Sequence, residues 1–251
     1  MPFVSAAGHS LEYQWLEGRE PALVFLHEGL GSIRQWREFP ARVAQATGCR
    51  VLLYNRYGYG QSDPLAEPRV GVRFMHDEAL VSLPQALAAL GIEAPILVGH
   101  SDGASIALIH AGAGHPTRGL ALMAPHVFVE DIGIRSIVRA KHTFEASDLR
   151  ERLAKYHRDP VKTFYLWNDV WLDPEFRRWN IEEYLPGVRT PLLAIQGEDD
   201  EYGTRAQLEA IRRQVSAPCE LLELARCGHS PHRDQPEAVL AALTRFIGAL
   251  A

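Results

Sequence analysis

Cysteine is scarce in this chain: Cys49, Cys219 and Cys227 are the only three among 251 residues, and their spacing has no pattern. That excludes a disulfide framework and fits a reducing, cytoplasmic setting. No Cys/His cluster has metal-ligand spacing, so no metal is expected. Long apolar runs are missing as well, and none approaches the roughly 20 residues of a membrane span. The opening Met1-Pro2-Phe3-Val4-Ser5 has no charged n-region with an apolar run behind it, so no secretion signal is expected. No basic block occurs and the net charge is −5, which argues against a nucleic-acid partner. No Gly-x-Gly-x-x-Gly follows the first strand, and Gly58-Tyr59-Gly60 is too short to cradle a dinucleotide, so no cofactor is expected.

What is present is an ordinary globular balance, 47% apolar and 23% charged, in a chain long enough to bury a large core. Apolar runs of strand length recur at 22–26, 51–54, 95–98, 120–123, 191–195 and 220–224. They do not alternate, as expected for a parallel sheet covered on both faces. An alternating segment at 11–16 predicts an edge strand. Helical patterns fall between the runs, at 76–90 with Gly91 as a stop, at 204–215 and at 235–250. The alternation predicts an α/β fold, a mostly parallel sheet with helices on both faces. Residues 127–186 break the rhythm. They offer helical candidates at 131–144, 147–157 and 160–172, and hold three of the five tryptophans, Trp167, Trp171 and Trp179. We expect a helical cap there, inserted into a core made of residues 1–126 and 187–251. Arg135, Arg139 and Lys141 along its first helix are expected to form a solvated face.

The chemistry centres on Gly99-His100-Ser101-Asp102-Gly103, between a strand and a helix. Glycines on both sides permit a sharp turn that lifts the serine hydroxyl off the sheet. A serine hydroxyl is a poor nucleophile without a base, and the base needs an orienting carboxylate. Two further strand ends supply candidates: Gly197-Glu198-Asp199-Asp200 and Gly228-His229. All three segments fall at the carboxyl edge of an open α/β sheet, where ligand sites gather.

With these segments in order, the chain resembles the α/β-hydrolase superfamily over its whole length. Phe25-Leu26-His27-Glu28-Gly29-Leu30-Gly31-Ser32 resembles the family's oxyanion loop, and Arg56-Tyr57-Gly58-Tyr59-Gly60-Gln61-Ser62 its Arg-Gly-x-Gly-x-Ser segment. The resemblance implies Ser101 as nucleophile, His229 as general base and Asp200 as orienter, with Asp199 as the alternative orienter. It implies an oxyanion hole made by the amides of Asp102 and Gly29, with Leu30 second to Gly29. His232 is expected on the surface and His100 packed under the turn. Glu28 departs from the family's usual glycine, and we expect it to pair with Arg34 or Arg56, or else to meet a polar substrate group. Asp102 also departs from the usual uncharged residue and is expected to be structural, favoured by the helix dipole. Glu28, Leu30, His126 and Trp167 are expected to line the pocket.

The activity implied is hydrolysis of a small or medium carboxylic ester or thioester through an acyl-enzyme. Lactone hydrolysis, cleavage of a carbon–carbon bond in ring-cleavage products, and a non-catalytic small-molecule receptor are the alternatives. A small-molecule substrate and a monomer or homodimer are expected.

Overall fold

The computed structural model describes residues 1–66 and 70–250. Eight strands form one sheet: β1 (Phe3–Ala6), β2 (His9–Leu16), β3 (Arg19–Leu26), β4 (Cys49–Tyr54), β5 (Ile96–His100), β6 (Gly119–Met123), β7 (Leu192–Gly197) and β8 (Cys219–Leu224). Their spatial order is β1-β2-β4-β3-β5-β6-β7-β8. The β1–β2 and β2–β4 pairs are antiparallel, and every later pair is parallel.

Side-chain alternation splits the core in two. Val24, Leu26, Leu52, Leu97 and Leu122 point to one face; Leu23, Phe25, Leu53, Val98 and Met123 point to the other. The first face is covered by α3 (Leu83–Ala89), α4 (Asp102–Gly112) and α8 (Ala206–Gln214), through Leu83, Ile106 and Leu208. The second is covered by α1 (Phe39–Thr47) and α10 (Pro236–Gly248), through Val43, Val239 and Leu243. The continuous apolar runs in the central strands follow from this double cover.

Three expectations need correction. The strand at 11–16 is not the edge: the four-residue β1 pairs outside it, with Phe3 facing solvent. The run at 220–224 is not continuously buried, because β8 is itself an edge and pairs only with β7. The helix expected at 76–90 begins earlier, as α2 (Phe74–Asp77), and passes through a wide π turn (Glu78–Ser82) before α3.

Between β6 and β7 the chain runs through α5 (Asp131–Ala146), α6 (Leu149–Leu153), α7 (Pro160–Trp171) and two short 3-10 turns. The α7 start is fixed locally: Asp159 accepts from the Lys162 amide at 3.0 Å, and Pro160 occupies the first turn. Aromatic packing binds these helices. Phe144 of α5 stacks on Phe164 of α7 at 3.9 Å between centroids, and Trp171 meets Phe176 edge-on at 5.0 Å.

Candidate active site

Ser101 sits at the tip of the turn between β5 and α4 with φ 52° and ψ −119°, a conformation that costs a non-glycine residue of order 1–3 kcal/mol. Close packing imposes it. A Cβ on Gly103 would lie 2.0 Å from the Leu26 carbonyl oxygen, and one on Gly99 would lie 2.5 Å from the Gly103 carbonyl oxygen. Both glycines are therefore needed to let α4 approach β3 and β5 and to hold the serine above the sheet edge.

The loops after β7 and β8 bring two groups to this hydroxyl. His229 Nε2 lies 2.9 Å from Ser101 Oγ, and His229 Nδ1 lies 2.8 Å from Asp200 Oδ1. A carboxylate oxygen only accepts, so Nδ1–H donates to Asp200 and Nε2 is left to accept from the serine. Asp200 is further held by the amides of Tyr202 at 2.8 Å and Gly203 at 3.3 Å, and by Gln196 Nε2 at 3.2 Å. Burial works to raise the Asp200 carboxyl, but the charge and hydrogen bond of His229 and the Tyr202 amide outweigh it and hold it at about 2. Burial works to lower the His229 imidazole; Asp200, with Glu201 and Glu28 behind it, lifts it above its ordinary value instead. Asp199, the alternative orienter, is exposed and makes no contact with His229; its amide bonds the Cys227 carbonyl.

A cavity of about 220 Å³ opens onto Ser101 and His229, walled by Glu28, Gly29, Leu30, His126, Trp167 and Trp171, with Ile137, Glu201, Tyr202 and Ser230. A larger cavity of about 430 Å³ is lined by Tyr57, Phe74 and Glu78 among others, and contains none of the three groups above. Chemistry, not volume, decides which cavity is the candidate site.

The loop after β3 is fastened from behind. The buried Arg56 donates from Nη2 to the carbonyls of Glu28 at 2.9 Å and His27 at 3.2 Å. The Glu28 carbonyl also accepts from His27 Nδ1 at 2.7 Å and from the Gly31 amide at 3.0 Å. In a trans peptide the N–H points opposite to the C=O, so the Gly29 amide is turned away from Arg56. Two residues on from Glu28, the Leu30 carbonyl accepts from His157 Nε2 at 3.1 Å.

A model of the alpha/beta hydrolase family matches residues 23–242. The chain belongs to the alpha/beta hydrolase family. Among relatives, it is 24% identical to a 2-succinyl-6-hydroxy-2,4-cyclohexadiene-1-carboxylate synthase of Serratia proteamaculans (strain 568), covering 92% of this chain and 94% of that one. It is 24% identical to an N-formylmaleamate deformylase of Pseudomonas putida, covering 97% and 95%. Among solved structures, the enol-lactonase of Burkholderia xenovorans LB400 superposes with a TM-score of 0.75 at 18% identity, covering 98% of this chain and 99% of that one. Relatives in the alpha/beta hydrolase family thus share the whole architecture while bearing names from different reactions.

Against the sequence expectations, Glu28, Leu30, His126 and Trp167 all line the cavity. Glu28 does not pair with Arg34, which donates to the Lys155 carbonyl, nor does its carboxylate pair with Arg56, which takes only its backbone oxygen. The carboxylate instead lies 3.4 Å from both Arg233 Nη2 and His100 Nδ1. His232 is not on the surface: the short helix α9 (Pro231–Asp234) turns its ring inward against Trp36 and His100, leaving it 4% exposed. Asp102 is fully buried with neither carboxylate oxygen hydrogen-bonded, and burial raises its pKa. His126 is also buried, which together with neighbouring His229 pushes its imidazole down to about 3, so it is neutral at working pH. Sequence reasoning missed His100, Ile137, Trp171, Glu201, Tyr202 and Ser230 as lining residues. For Glu201 and Tyr202 the signal was adjacency to Asp200; for Ile137 no local signal exists.

Proposed function

We propose that this chain is a serine hydrolase acting on a small or medium carboxylic ester or thioester through an acyl-enzyme. The observation that carries it is the unbroken hydrogen-bonded line Ser101–His229–Asp200, whose first two members open onto a cavity walled by Leu30, Ile137, Trp167 and Trp171 together with Glu28, Glu201 and His126. Ser101 attacks the carbonyl carbon while His229 takes its proton, and Asp200 stabilises the resulting imidazolium. His229 then gives that proton to the leaving alcohol or thiol. It next draws a proton from water, whose oxygen attacks the acyl carbon, and returns that proton to Ser101 Oγ as the acyl–oxygen bond breaks and the carboxylic acid is released. The developing oxyanion is received by the amides of Asp102, at the start of α4, and of Gly29, each worth roughly 10²–10³ in rate. Residues 127–186 act as a cap, since Ile137 of α5 and Trp167 and Trp171 of α7 supply walls of the cavity. A cavity of about 220 Å³ suits a small acyl group.

The test is turnover of short p-nitrophenyl esters by wild type and Ser101→Ala, with fluorophosphonate labelling in parallel. We expect labelling of wild type alone and a loss of at least about 10³-fold in kcat/KM for the variant. Wild-type activity in Ser101→Ala would defeat the proposal, and absence of labelling in wild type would favour a receptor. The names carried by the relatives add an enol lactone and an N-formyl amide to the panel, and the carbon–carbon alternative adds a vinylogous diketone.

A further inference from the structure

Glu28 replaces a residue with no side chain at the edge of an oxyanion site, where a free carboxylate opposes the charge that forms on the substrate. The structure gives that carboxylate two cationic or proton-bearing neighbours. Arg233 Nη2 lies 3.4 Å from Oε1, and His100 Nδ1 lies 3.4 Å from Oε2. These partners belong to different loops. Glu28 lies on the loop that carries Gly29, His100 immediately precedes Ser101, and Arg233 sits four residues beyond His229. A side chain of the β3 loop thus touches the segments that carry Ser101 and follow His229. Gly31 makes room for it, since a Cβ there would lie 2.3 Å from Glu28 Oε2.

The line continues to the base. His100 Nε2 lies 2.7 Å from the His229 main-chain carbonyl, so it carries a proton and donates. The other face of the same residue is also held, because the His229 amide donates to Glu201 Oε2 at 3.2 Å. With Nε2–H committed to a carbonyl, a bare lone pair on His100 Nδ1 would face the Glu28 carboxylate. A proton between the two removes that repulsion. Nδ1 has no hydrogen-bond partner, Glu28 at 3.4 Å being an ion-pair contact; the other rings around His100 are His232 at 4.9 Å, His229 at 5.4 Å and Trp36 at 6.1 Å between centroids.

We infer that Glu28 and His100 form a second carboxylate–imidazole pair, an ion pair across 3.4 Å with the proton on His100 Nδ1, which positions the His229 backbone against Ser101. Glu28 is a positioning residue: it acts through His100 and needs no contact with the reacting atoms. The kinetic part rests on the hydrolase reading above; the ion pair does not. The pair explains why an acidic residue is compatible with this position, and why His100 is buried at 1% exposure beside a half-enclosed carboxylate.

The experiment is Glu28→Gln, isosteric and uncharged, read in two ways. By ¹⁵N NMR at pH 7.5, His100 Nδ1 is expected to resonate as a protonated ring nitrogen in wild type and as a lone-pair nitrogen in the variant. With a short p-nitrophenyl ester, kcat is expected to fall on the order of 10- to 100-fold, the scale of a slightly misplaced catalytic group, while KM stays within about threefold and the Ser101 fluorophosphonate adduct still forms, more slowly. Glu28→Asp is expected to recover part of kcat. His100→Gln keeps an amide donor for the His229 carbonyl but cannot hold the proton, and is expected to reproduce the loss if Glu28→Gln fails to fold. An unchanged Nδ1 resonance, or kcat within twofold of wild type in both variants, overturns the inference. If wild type neither labels nor turns over any ester, the hydrolase reading fails and the NMR comparison alone decides the pair.

Discussion

Residue 29 has no side chain because there is no room for one: a Cβ would meet the Trp167 indole at 2.2 Å. Gly29→Ala must push either the ring of α7 or the peptide whose amide is proposed above as an oxyanion donor, while the Glu28 carbonyl stays anchored by Arg56. We expect the variant to fold and to lose on the order of 10²-fold in kcat/KM toward short esters, because a misdirected oxyanion donor costs about that much. Equal turnover would assign the second amide to another residue. His232 gives the opposite kind of prediction. Its ring is buried, and neither nitrogen has a hydrogen-bond partner; burial, with His100 beside it, keeps it neutral over the working range. Replacing an unpaired buried polar group with an apolar one of similar size removes a desolvation cost of about 1–3 kcal/mol. His232→Leu should therefore unfold at equal or higher urea concentration than wild type, and a lower midpoint would show a partner for the ring. The contrast with the hydrogen-bonded line Ser101–His229–Asp200 shows what the sequence can display. Ser101, Asp200 and His229 stand in short motifs that fix their place at strand ends. The partners of Glu28 lie 72 and 205 positions away at His100 and Arg233, and the inward turn of His232 depends on Trp36; no local pattern encodes either.

The turn from β5 into α4 works as a unit, and its tolerances are set by backbone rather than side chains. Gly103 faces the Leu26 carbonyl of the neighbouring strand, a main-chain atom that cannot rotate away. Gly103→Ala must lift α4 off β3, which also tilts Ser101 and the Asp102 amide. Overpacking of this kind costs about 1–3 kcal/mol and sometimes more, so we expect a lower melting temperature together with loss of fluorophosphonate labelling. Retained labelling at wild-type rate would show that α4 can shift without moving the serine. The element pattern itself was readable where both faces of a strand are buried, as in β3 to β7, since burial leaves an apolar run in the sequence. It was unreadable at one margin, where β1 has four residues and buries only Val4 and Ala6; at the other, β8 was read as a strand but its burial was not, since it buries only Leu224. The π turn at 78–82 keeps the helical apolar spacing and is invisible for that reason.

Across the whole molecule, buried imidazoles set the response to acid. His126, His110 and His157 are each at most 3% exposed, and burial, the largest cause in every case, pushes them down to about 3, 4 and 4. His157 is tied as a neutral ring, accepting from the Gly60 amide and donating to the Leu30 carbonyl; His110 donates from Nδ1 to the Ala79 carbonyl. In the unfolded chain all three titrate at about 6.5, the ordinary imidazole value. Between 6.5 and about 4 the unfolded state therefore binds more protons than the native state, and stability falls as pH falls. His229 works the other way: its raised value adds stability that is complete below about 6.5 and is lost as pH climbs through its folded pKa, so it cannot offset the loss below 6.5. Asp200, held at about 2, contributes stability above its unfolded value near 4, and that contribution is lost only as pH drops toward 2, a lower window. Each histidine contributes a slope of at most about 1.4 kcal/mol per pH unit, and three together reach about 4 kcal/mol per unit. Set against a total stability of about 5–15 kcal/mol, this predicts that the urea midpoint drops steeply from pH 6.5 to pH 5 while changing little from 7.5 to 6.5. A midpoint that stays level down to pH 5 would mean that these rings acquire charge in place, with water or a carboxylate reaching each of them.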